Sequence, residues 1–91
     1  MNYDVIVIGG GAAGVFSALS AKAKSPHARV LLLEKTAVLL AKVKISGGGR
    51  CNVTHSCFQP NKLVGFYPRG SKKLQENFKY FGPMQVIEWF K

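Results

Sequence analysis

The apolar positions of this chain gather into blocks. Val5 to Ile8 and Val30 to Leu33 are uninterrupted apolar runs with no polar alternation, the pattern of parallel strands that are apolar on both faces and need cover on each. Between them, from Gly11 to about Lys24, Ala, Val, Phe and Leu dominate and predict a helix. Ser25-Pro26 ends it, because a residue ahead of proline is driven out of the helical region. The order is strand, helix, strand, and a parallel connection of this kind is right-handed.

Farther along, "FYPRGSKK" carries turn signals at Pro68 and Gly70. Ser71 is a suitable N-cap for a helix with Leu74, Phe78 and Phe81 on one face. "PMQVIEWFK" starts as a helix with Pro83 in its first turn, and Val86, Ile87, Trp89 and Phe90 crowd an apolar face with little to cover it. Aromatics at this spacing are the ordinary material of a core. No internal repeat is present.

Where the first strand turns into the first helix stands Gly9-x-Gly11-x-x-Gly14. Such a pattern alone is weak, but here its context is right. Gly9 suits a tight turn, Gly11 lets a pyrophosphate approach the backbone, and Gly14 lets helix and strand pack closely. Phosphates placed there meet the open N–H groups and positive end of the helix. Glu34 ends the second apolar run twenty residues beyond Gly14, where an acid accepts hydrogen bonds from an adenosine ribose and repels a 2′-phosphate. This spacing points to FAD or NAD and away from NADP, without deciding between the first two.

Charge narrows the partner less than the motif does. Thirteen Lys and Arg against four Asp and Glu leave +9 over 91 residues, which suits an anionic partner: a nucleotide cofactor, nucleic acid or a membrane surface. The basic residues are scattered and no RNA-binding signature accompanies them, so nucleic acid is not expected. No apolar stretch reaches the ~18 residues of a membrane span. The apolar N-terminus lacks a preceding Lys or Arg and contains Asp4, unlike a secretory signal. With only two cysteines, a cytoplasmic protein is expected, and "NVT" at Asn52 to Thr54 is not a glycosylation site. Cys51, His55 and Cys57 are three ligand types crowded on one loop, a poor zinc site, so no metal is expected.

The remaining motif is "ISGGGRCNVT", Ile45 to Thr54, whose consecutive glycines are costly in backbone entropy. Together with "DVIVIGGGAAG" and the acid after the second strand, "KISGGGRCNVT" resembles the bacterial flavoproteins called aminoacetone-oxidase-family, or BaiN-like, FAD-binding enzymes. The resemblance extends to "FKYFGPMQVIEWF" and so covers the whole chain. It implies an α/β fold, the N-terminal part of a Rossmann-like FAD-binding domain of the glutathione-reductase-like superfamily. It also implies a flavin-dependent oxidoreductase whose members run to several hundred residues. Residues 1–91 are then a partial domain without the substrate domain or the rest of the FAD site, and catalytically incomplete. The alternative is a non-catalytic truncated product or an NAD-binding module.

The cofactor-binding set that follows is Gly9, Gly11, Ala12, Ala13 and Gly14 at the pyrophosphate, Glu34 and Lys35 at the ribose end, Lys42 at a phosphate or nearby oxygen, and Gly48, Gly49, Arg50 and Cys51 toward the flavin. The sequence departs from the family in having Leu40 and Ala41 where a glycine and a basic residue are usual, and His55 where asparagine is usual. Related disulfide reductases carry a cysteine pair near the flavin. The five residues between Cys51 and Cys57 do not match their spacing, so two ordinary thiols are expected. No catalytic acid or base is assigned. Unpaired strand edges and apolar surface predict self-association.

Overall fold

The computed structural model describes residues 2–91, which form two compact units, the first ending at Cys51 and the second running Asn52–Lys91. The first unit opens with β1 (Val5–Ile8), continues through α1 (Ala12–Lys24), and returns in β2 (Val30–Leu33). The strands pair in parallel with Val5 opposite Val30, Ile6 opposite Leu31, Val7 opposite Leu32 and Ile8 opposite Leu33. Gly9 N–H extends the ladder to the Leu33 carbonyl at 2.8 Å. At the other end, Asp4 accepts from the Arg29 N–H at 2.9 Å and the Asp4 N–H donates to the Arg29 carbonyl at 2.9 Å. The acid at the chain's start thus pins the strand entries together.

α1 ends as its sequence requires: Ser25 is the C-cap and its N–H reaches back to Ala21. The helix covers one face of the sheet, with Val7 beneath Gly14. Because alternate side chains take opposite faces, Ile6 and Ile8 take the other. They are 55% and 85% exposed, and Leu33, opposite Ile8, is 48% exposed. Within the first unit the strands, apolar on both faces, are therefore covered on one alone. The cause is topological, since the helix that packs on both strands in this unit is α1.

After β2 the chain forms a short helix, α2 (Ala41–Ile45), and then a 3-10 turn over Ser46–Gly49. The second unit contains α3 (Pro60–Leu63), a 3-10 turn at Val64–Phe66, α4 (Ser71–Tyr80) and α5 (Pro83–Trp89). Its small core centres on Leu63, 3% exposed, with Tyr67 against Phe78 at 5.5 Å. Leu74 and Phe78 are half-buried, whereas Phe81 lies beyond the helix and is exposed. The N-cap of α4 is Gly70, in the left-handed region at φ 74°, and Ser71 is already helical. Glycine displaces the expected serine cap because a side chain is strained at that φ. α5 starts at Pro83 as expected, and the Gly82 N–H is held by Oε1 of Gln85 at 2.8 Å.

Candidate functional site

The glycine turn joins the C-terminal end of β1 to α1. Gly9 has φ 102°, a conformation that excludes most side chains. At Gly14 an added Cβ would run into the carbonyl oxygen of Gly9 and lie 2.9 Å from its carbon, so strand and helix approach as closely as they do because no side chain intervenes. Gly11, the N-cap of α1, has an ordinary φ of −83°, and a Cβ there would meet no protein atom within 4 Å. Among the described residues no packing contact calls for glycine at this position. Open space beside bare backbone is what an approaching ligand needs.

Gly10 ties the turn to the segment after β2. Its N–H donates to Oε1 of Glu34 at 2.8 Å and its carbonyl accepts from Leu40 N–H at 2.8 Å. A Cβ here would strike the Leu39 side chain and crowd Glu34. The second Glu34 oxygen, Oε2, accepts from the Thr36 N–H at 2.9 Å and the Thr36 hydroxyl at 2.7 Å. The Thr36 hydroxyl, then the Gly10 and Thr36 N–H groups, hold the Glu34 carboxyl at about 2, well below the ordinary 4.5. It is an anion throughout the neutral range.

Two clefts flank this carboxylate. One, of about 530 Å³, is lined by Gly10, Gly11, Ala12, Glu34, Thr36, Val38, Ala41, Lys42 and Val43. The other, of about 380 Å³, is lined by Ile8, Gly9, Leu33, Glu34 and Lys35. Of the residues singled out by sequence, Gly11, Ala12, Glu34 and Lys42 thus share one cleft, and Gly9, Glu34 and Lys35 the other. Ala13 and Gly14 lie within the first turn of α1. The N–H groups of a helix's first turn have no intrahelical acceptor. Among the described residues neither a side-chain cap nor an acid in the first turn competes for them.

Gly48, Gly49, Arg50 and Cys51 line neither of these two clefts. They form the turn after α2, where Gly47, Gly48 and Gly49 have φ of 59°, 65° and 89°, and Cys51 itself has φ 54°. What the chain demands of these glycines is handedness: a Cβ at Gly48 or Gly49 has open space but a strained backbone. The turn is closed by the Cys51 N–H on the Ser46 carbonyl at 3.0 Å. Cys51 and Cys57 are free thiols. Among the described residues no group of three His, Cys, Asp or Glu is arranged to hold a metal ion, and no helix is long and apolar enough to cross a membrane.

Sequence reasoning overlooked Gly10, Thr36 and the apolar lining from Val38, Ala41 and Val43. Gly10 hides between two motif glycines. Thr36 has one legible signal, a hydroxyl two residues after the acid, a spacing at which short side chains bond local backbone.

Against known proteins, residues 3–91 match the HI0933-like protein Rossmann domain. The 3-dehydro-bile acid delta(4,6)-reductase of Clostridium scindens is 31% identical over 84 residues, 92% of this chain and 20% of that protein. The ribosomal RNA dihydrouridine synthase of Escherichia coli is 38% identical over 86 residues, 94% of this chain and 21% of that protein. The chain spans about a fifth of the length of these curated relatives. No solved structure matches it. A parallel strand-helix-strand unit with a glycine turn clamped to the acid after its second strand is the start of a Rossmann-type FAD/NAD-binding domain of oxidoreductase-like proteins, and the chain belongs to the HI0933-like protein Rossmann domain family.

Proposed function

We propose that residues 1–91 are the FAD-binding N-terminal segment of a flavin-dependent oxidoreductase and do not complete a catalytic centre by themselves. The observation that carries this reading is the coupling of Glu34 to Gly10 at 2.8 Å beside Gly11, where bare backbone faces a cleft of about 530 Å³. The residues present suit the adenosine diphosphate half of the cofactor. Gly9, Gly11 and the first turn of α1, with Ala12, Ala13 and Gly14, receive the pyrophosphate. Glu34 accepts from the ribose, with Lys35 beside it, and Lys42 supplies positive charge on the same cleft. Gly48, Gly49, Arg50 and Cys51 are assigned to the flavin side on the strength of the family resemblance.

When bound, FAD supplies hydride and electron transfer, and the protein contributes placement and electrostatics. The names of the two relatives both describe reductions, one of a 3-dehydro-bile acid and one that yields dihydrouridine in ribosomal RNA. Relatives with such different substrates share this stretch of sequence, which supports a cofactor role for it and a substrate site contributed by sequence outside it. We read the +9 charge as serving the cofactor phosphates and not a nucleic acid. The protein is read as cytoplasmic.

Equilibrium titration of the purified chain with FAD, ADP and NADP tests the reading. FAD and ADP are expected to bind and NADP to bind far more weakly. Tight NADP binding with none of FAD would overturn it in favour of a nicotinamide-cofactor module.

A further inference from the structure

Glu34 has little acceptor capacity left. A carboxylate offers about four lone-pair positions, and three of them are taken by the Gly10 N–H, the Thr36 N–H and the Thr36 hydroxyl. Thr36 fills both positions of Oε2. Its hydroxyl has a single proton and two acceptors within reach, Oε2 of Glu34 at 2.7 Å and the Val38 carbonyl at 3.3 Å. The nearer, charged acceptor makes the stronger bond. The Gly10 bond on Oε1 is also hard to give up, because Gly10 is buried and a buried donor without a partner is expensive. Turning the carboxylate to present both oxygens to a ligand would leave the buried Gly10 donor without a partner and exchange the two bonds from exposed Thr36 for others.

We propose that Thr36 is the positioning residue of the ribose site, holding Glu34 so that a single acceptor position on Oε1 remains and an adenosine ligand is engaged through one ribose hydroxyl instead of two. The inference rests on the reading of Glu34 as the ribose acceptor. It adds a specificity: the site distinguishes the two hydroxyls of one ribose.

Two measurements on the 91-residue chain test it. The first is titration of Glu34 by carboxyl-labelled NMR in the wild type, Thr36→Val and Thr36→Ser, without ligand. The charged groups flanking the carboxylate, Lys42 on the shared cleft and Lys35 next in sequence, are unchanged in all three. Thr36→Val is expected to raise the midpoint and Thr36→Ser to restore it. An unmoved midpoint in a folded Thr36→Val overturns the positioning role. The second compares ADP, 2′-deoxy-ADP and 3′-deoxy-ADP as probes of the wild type. One deoxy analogue is expected to bind roughly ten- to a hundred-fold more weakly, the effect of one hydrogen bond to a charged acceptor, and the other nearly as ADP does. Equal losses for both overturn the single-hydroxyl claim. If ADP itself fails to bind, the ribose site falls with the proposed function, and the carboxyl titration still decides what Thr36 does.

Discussion

The Gly10 N–H donates to Oε1 of Glu34 across 2.8 Å and 24 positions of sequence, so one carboxylate sets both the shape of the glycine turn and the polarity of the cleft beside it. With the carboxyl at about 2 in the fold against an ordinary 4.5, folding favours the anion. A depressed carboxyl contributes stability that is present above the unfolded value and is lost as pH falls through the folded one. The Gly10 amide resonance should therefore stay in place at pH 5 and shift with a midpoint near 2, not near 4.5. A midpoint at the ordinary value would mean that the clamp does not form.

Gly14→Ala and Gly11→Ala should separate packing from ligand contact. At Gly14 the new methyl meets the Gly9 carbonyl, an overpacking expected to cost about 1 to 3 kcal/mol. At Gly11 it meets no protein atom, and exchanging one N-cap residue costs less than about 1 kcal/mol. Thermal unfolding should show a large loss for the first and a small one for the second. ADP titration should show Gly11→Ala weakened by roughly ten-fold, equivalent to about 1.4 kcal/mol.

Leu40 occupies the left-handed region at φ 56°, ψ 33° as the N-cap of α2. A side chain there costs about 1 to 2 kcal/mol. The family's usual glycine at this position would remove the strain, against about 0.5 to 1 kcal/mol of added chain entropy. Leu40→Gly is expected to leave the protein as stable or up to about 1 kcal/mol more so, and Leu40→Val to be less stable than either. Denaturant unfolding of the three would reveal it. A clear loss in Leu40→Gly would show that the leucine side chain outweighs its backbone.

Ile8 is 85% exposed on the sheet face that α1 does not cover, beside Ile6 at 55%. Uncovered apolar sheet with open strand edges drives association. The chain should self-associate with rising concentration in sedimentation velocity. Ile8→Lys should reduce this while changing stability by less than about 0.5 kcal/mol. Equal association by both proteins would place the contact elsewhere.

Much of the first unit was legible in the amino-acid sequence. Four-residue apolar runs, a glycine turn and Ser25-Pro26 specify local geometry, and local geometry is what hydrophobic pattern and turn chemistry encode. β1, α1 and β2 accordingly lie where those signals put them. The acid after the second run was likewise visible from spacing alone. Handedness at individual positions was not: the left-handed φ of Leu40, Cys51 and Gly70 arises from how each turn closes. For that reason glycine and not Ser71 caps α4.

Sequence by itself determined the two strands, the helix between them and the glycine turn, because each rests on contacts between near neighbours or on a periodicity that survives any packing. Only the tertiary structure decided that Glu34 is already occupied by Gly10 and Thr36, that Gly11 opens on a cleft while Gly14 packs against Gly9, and which sheet face of the first unit α1 covers. Those depend on how β2 registers against β1 and on how α1 packs on the pair. Residues distant in sequence meet there, and no local pattern records it.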